Sequence, residues 1–91
     1  MTAINQIVNV NSFYFRGRQE LRTYPRSVEF GNTTISFQDG LQYLIRKGQT
    51  IIRLFDMTDG HSTFRLKLEN DQWTLVGTMS NNPTGRLVGQ N

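Results

Sequence analysis

Cysteine is absent from this sequence of 91 residues. No disulfide can hold the fold, and no thiolate can ligate a metal or act as a nucleophile. The absence fits a reducing compartment, so a cytoplasmic location is expected. No apolar run approaches the roughly 20 residues that a spanning helix requires. Residues 1–6 carry neither a basic start nor an apolar stretch, so a signal peptide is not expected and no membrane partner follows. Histidine occurs once, and lysine supplies two of the ten cations. The other eight are arginine, the better residue for bidentate contacts to phosphate or carboxylate and for stacking on rings.

What remains is apolar enough to fold. Hydrophobic residues make up 36% of the chain, with six Phe, three Tyr and one Trp, too many for a disordered segment. The length allows a single core, so residues 1–79 are expected to form one globular domain and the polar, turn-rich residues 80–91 a flexible tail. The net charge of +3 points mildly toward an anionic partner, a nucleic acid or an acidic protein.

Strand signals dominate. Ile7, Val8, Val10, Phe13, Tyr14 and Phe15 give the N-terminal segment strand composition. Pro25 is expected to end a following short strand or to place it at an edge. Val28 and Phe30, then Ile35 and Phe37, alternate with polar residues around Gly31 and Asn32, the pattern of a hairpin. Residues 50–79 read as a three-stranded meander. Residues 39–47 give the one helical signal: Asp39 as N-cap, Leu41, Leu44 and Ile45 at helical spacing, Arg46 and Lys47 in the last turn, and Gly48 as C-cap. The expected fold is α+β and mostly antiparallel β, a bent sheet or small open barrel of five to seven strands with one short helix. The expected core comprises Phe13, Phe15, Val28, Phe30, Ile35, Phe37, Leu41, Leu44, Ile45, Ile52, Leu54, Phe64, Leu66, Leu68, Trp73 and Leu75.

The register of the meander decides which charges share a face. A two-residue loop at Asn70 and Asp71 pairs Leu68 with Trp73 and Leu66 with Leu75, and sets Arg65 beside Val76. The first turn has two solutions. A three-residue loop at residues 58–60 pairs Leu54 with Phe64, buries Ile52 and Leu54, and gathers Arg53, Arg65 and Lys67 on the open face with Ile51, Phe55 and Val76. A two-residue turn at Asp59 and Gly60 pairs Phe55 with Phe64 and moves Arg53 to the apolar face, because one residue of slip reverses every side chain. The first is preferred. Burying two large aliphatic residues outweighs one exposed repulsion between Arg53 and Arg65.

Catalytic patterns are missing. Asp56, Asp59 and His61 cluster near a turn but match no metal-ligand or acid–base spacing, and Ser62 has no nucleophile elbow. Neither an enzyme, nor a metal, nor a cofactor is expected. The suggestive segment is residues 13–18, where rings and arginines alternate closely enough to stack bases and hold phosphates. The first expectation is therefore a small non-enzymatic module for RNA or single-stranded DNA. In it Arg16, Arg18, Arg22, Arg53, Arg65 and Lys67 meet phosphates, while Tyr14 and Phe55 stack. The alternative is a protein-interaction or assembly module that uses a strand edge or the patch of Ile51, Phe55 and Val76, including a homo-oligomer formed through an edge.

Overall fold

A computed structural model describes residues 1–16 and 23–81. Those residues form seven strands: β1 (Thr2–Phe15), β2 (Thr23–Phe30), β3 (Thr33–Ser36), β4 (Asp39–Lys47), β5 (Thr50–Thr58), β6 (Ser62–Glu69) and β7 (Gln72–Ser80). They make one open antiparallel sheet in the order β3-β2-β1-β7-β6-β5-β4. The described residues contain no helix, and so none long and apolar enough to cross a membrane.

The fold is thus all-β, not α+β, and the expected helix at residues 39–47 is strand β4. Leu41, Tyr43 and Ile45 also repeat at period two, and a two-turn helix has little stability of its own. Gly48 takes the left-handed conformation (φ 62°) as it would at a helix end, but here it opens a two-residue turn with Gln49. A positive φ at the first central residue alone is the type II′ pattern, which twists correctly for a hairpin. The turn pairs Lys47 with Thr50 and carries the register without a break to Asp39 and Thr58. Gly40 is required there: a Cβ would run into the Met57 side chain and the Asp56 carbonyl.

The sheet curls on itself. Residues 2–8 of β1 pair with β7, residues 9–15 pair with β2, and register shifts in each half bend the strand. Three strands separate β2 from β5, which in a flat sheet would set them about 19 Å apart. Instead the Tyr24 and Phe55 ring centroids lie 5.9 Å apart. The link between β3 and β4 straps the opening, because Phe37 N donates to Arg26 O and Gln38 N to Thr58 O. Inside sit Val8, Tyr24, Val28, Phe37, Phe55, Met57, Leu66 and Leu75. Of the expected core, Phe13, Phe15, Leu41, Leu44 and Ile45 are exposed instead. The last three lost their burial with the helix. Pro25 lies buried inside β2, opposite Phe13 and next to a register shift.

The β6–β7 turn is as expected. Asn70 and Asp71 both have positive φ, the type I′ pattern, and Leu68 faces Trp73. An irregularity between Arg65 and Leu66 sets Arg65 opposite Gly77, not Val76. The β5–β6 turn follows neither expected solution. Thr58 pairs with Thr63 around a loop of residues 59–62. Met57 then faces Phe64, Phe55 faces Leu66, and Arg53 faces Leu68. Phe55 and Met57 are fully buried, while Ile52 and Leu54 are only half-buried on the outer face. Residues 82–91, most of the expected tail, lie outside the described residues, and β7 extends to Ser80.

Candidate functional site

The register separates the cations that the preferred sequence reading put together. Arg53 points to the inner face. Its Nε donates to Gln42 Oε1 at 2.8 Å and Nη2 to Thr23 O at 3.3 Å, and the guanidinium lies 5.2 Å from the centre of the Phe55 ring. Partial burial holds its pKa below the ordinary arginine value. Arg65 and Lys67 stay on the outer face, each beside a carboxylate. Arg65 is bidentate to Asp56, Nε to Oδ1 at 2.7 Å and Nη2 to Oδ2 at 2.8 Å, and that hydrogen bonding raises its pKa. Lys67 Nζ lies 3.6 Å from Glu69 Oε1.

The other proposed contacts are similarly engaged. Arg16 Nη1 donates to Asp39 Oδ1 at 3.1 Å and to Gly40 O at 2.7 Å, and its guanidinium lies over Tyr24 at 5.1 Å. Tyr14 stacks on Tyr24 with centroids 5.5 Å apart, and Arg26 covers the Tyr14 ring at 5.1 Å. Burial, then the charge of Asp39, raises the Tyr14 pKa. Phe55 is fully enclosed and offers no ring face to a base. Its burial also removes it from the patch of Ile51, Phe55 and Val76. Arg18 and Arg22 lie outside the described residues.

Asp56, Asp59 and His61 do not converge. Asp56 is held by Arg65, and Asp59 Oδ1 accepts the N–H groups of His61 and Ser62, each at 2.8 Å. Those two bonds lower the Asp59 pKa. Among the described residues no three His, Cys, Asp or Glu side chains could hold a metal together.

The sheet does bring one feature together that the sequence reading missed. Its two edges are β3, with four residues, and β4, with nine. Along β4, Leu41, Tyr43, Leu44 and Ile45 are exposed by 59%, 44%, 49% and 45%, and neighbouring Ile51 is exposed by 51%. Leu41, Tyr43 and Ile45 share the outer face with Asp39 and Lys47, because strand side chains alternate. The inner face carries Gly40 and Gln42, seen in their contacts with Met57 and Arg53.

The two-residue turn also fixes where the backbone points. In such a hairpin the residues flanking the loop exchange hydrogen bonds, so Lys47 and each second residue before it bond to β5. The even-numbered residues turn their N–H and C=O groups away from β5, to the outer edge. The bond from Arg16 to the Gly40 carbonyl fits that parity. The signal was present in the sequence as Leu41, Tyr43 and Ile45 at period two, but the helical spacing of Leu41, Leu44 and Ile45 masked it.

Comparison with protein-family models, with curated proteins and with solved structures finds no match for this chain.

Proposed function

We propose that this chain is a small non-enzymatic interaction module of the cytoplasm that binds protein through the free edge of β4. The observation that carries the reading is that edge: nine residues long, terminal in the sheet, with four large apolar side chains exposed along it. An open, apolar edge is a template for another strand, and isolated proteins usually blunt such edges. Among the described residues, Arg16 guards one end of this edge through its bond to the Gly40 carbonyl. Strand addition supplies affinity through the main chain, and alternate side chains supply selectivity.

A photo-reactive residue in place of Ile45 in the full chain tests this in the native cell. The expected result is a discrete protein cross-link that disappears when Leu44→Pro is added. The Leu44 N–H points away from β5, so proline there blocks strand addition and breaks no bond of the sheet. A cross-link pattern no different from that of the unmodified chain ends the reading.

One observation favours nucleic acid as a second reading. Arg26 lies over Tyr14 at the surface, and Arg46 and Lys47 are exposed cations at the far end of β4. This reading expects binding of mixed single-stranded RNA or DNA that weakens steeply between about 50 and 200 mM salt. No binding at the lower salt would remove it.

A further inference from the structure

We propose that the occupant of the β4 edge is the same edge of a second copy of this chain, paired antiparallel about Tyr43, with Arg16 competing for one end of the seam. The inference rests on the interaction reading above and adds the partner.

The argument is self-complementarity in charge, shape and hydrogen-bond parity. β4 runs Asp39, Gly40, Leu41, Gln42, Tyr43, Leu44, Ile45, Arg46, Lys47, acidic at one end and basic at the other. Two such strands placed parallel and in register set Asp39 beside Asp39, and Arg46 and Lys47 beside their like, which is unfavourable. Placed antiparallel about Tyr43, Asp39 of each copy lies opposite Lys47 of the other. Leu41 lies opposite Ile45, and Tyr43 meets Tyr43 at the dyad.

Only this register keeps both ion pairs. A slip of two residues sets Asp39 opposite Ile45, or Lys47 opposite Leu41, and shortens the overlap. A slip of one residue places outward-pointing backbone groups against residues already bonded to β5. In the centred register the odd-numbered residues form the closer, non-hydrogen-bonded pairs. The side chains that must match are therefore the ones that approach most closely. The contact is isologous and closes as a two-fold dimer, with no tendency to form fibres. The β3 edge offers no equivalent: it is four residues long, and Thr33, Thr34 and Ser36 are its exposed members.

Arg16 sets a threshold. Its Nη1 occupies the Gly40 carbonyl, which in the dimer accepts the N–H of Arg46 of the second copy. Pairing exchanges one hydrogen bond for another at each end, and Arg16 keeps Asp39 within reach.

Sedimentation equilibrium on the full chain, from micromolar to millimolar, tests the proposal. The wild type is expected to pass from monomer to dimer with concentration. Leu44→Pro is expected to remain monomeric with an unchanged β circular dichroism spectrum. Asp39→Lys and Lys47→Asp each replace two attractions by two repulsions and are expected to weaken dimerisation roughly tenfold. An equimolar mixture of those two variants restores complementary ends and is expected to form a heterodimer. Arg16→Ala is expected to tighten dimerisation roughly fivefold, since the bond from Arg16 to the Gly40 carbonyl is then gone.

A wild type that stays monomeric throughout overturns the proposal. So does a dimer indifferent to Leu44→Pro, or one in which the mixed charge variants gain nothing. An unchanged constant in Arg16→Ala overturns the competition. If the wild type is monomeric while position 45 cross-links to a different protein, the second-copy proposal has failed and the interaction reading stands. If it is monomeric and position 45 cross-links to nothing, both have failed.

Discussion

The two turns that bracket β6 differ in what sets their length. The β6–β7 turn is made by its own backbone: Asn70 and Asp71 are both left-handed, with φ 52° and 62°, and nothing beyond the adjoining strands is needed. The β5–β6 loop has one local backbone bond, Asp59 N to Ser62 O at 3.2 Å, and is otherwise held by side chains and by a distant residue. Asp59 Oδ1 accepts two backbone N–H groups, and Gly60 N donates to Thr58 Oγ1 at 3.0 Å. Asn81, just past β7, reaches back with its N–H to His61 O at 2.8 Å and with Nδ2 to Thr58 Oγ1 at 2.8 Å. A turn closed by local backbone geometry specifies its register alone. The β5–β6 loop adds to its local bonds a tie to Asn81, so its closure also involves the end of β7. Its parity decides which face of β5 is core.

The largest test of that difference is a pair of truncations on β5. Phe55→Ala is expected to cost about 3–5 kcal/mol, the range for removing a large buried ring. Leu54→Ala, on the half-buried outer face, is expected to cost no more than about 1–2 kcal/mol. Urea denaturation of the two variants reads the difference directly. The opposite order would mean that β5 presents its other face to the core and that Arg53, Arg65 and Lys67 share the outer surface after all.

Much of the architecture was legible because it is local. The β2–β3 and β6–β7 hairpins each have alternating apolar residues around a two-residue turn with the chemistry that such turns need. β4 was misread because Asp39 and Gly48 suit a helix cap and a hairpin equally well. The choice between the two is made by nine pairings with β5 that no window of β4 contains. The candidate site failed for the same reason. Arg53 sits inward only because Gln42 and the Thr23 carbonyl are brought to it from β4 and β2. Asp56 was weighed as a ligand, although its cross-strand partner is Arg65. Both depend on the parity of the β5–β6 loop, which shows in the pairing of Thr58 with Thr63.

A smaller effect separates charge from geometry in that loop. The His61 and Ser62 amides hold the Asp59 pKa below its ordinary value. A carboxylate whose folded pKa is depressed stabilises the fold above the unfolded pKa of about 3.9, and that contribution is lost as pH falls through the folded value. Asp59→Ala is expected to cost about 1 kcal/mol at pH 7, and Asp59→Asn less, because its amide oxygen can still accept one of the bonds. The gap between wild type and either variant is expected to be flat from pH 6 to 8 and to close below about pH 4. Thermal melts across that range measure it. A gap that persists in acid would mean that Asp59 holds the loop through its hydrogen-bond geometry and not through its charge.

The smallest expected effect lies in the other turn. Asp71 holds a left-handed conformation at the second central position of a type I′ turn, where glycine pays no steric penalty. Asp71→Gly relieves that strain but enlarges the freedom of the unfolded chain, so the net gain is expected to be about 0.5 kcal/mol. For a domain of this size that is a rise of about 2–4 °C in Tm. His61→Gly should do the reverse. His61 is not among the positive-φ residues, so glycine there relieves nothing and costs a few tenths of a kcal/mol in the same melt. Opposite signs from one type of substitution would show that the β6–β7 turn carries backbone strain that the β5–β6 loop does not carry at His61. Equal signs would erase the distinction between the two turns.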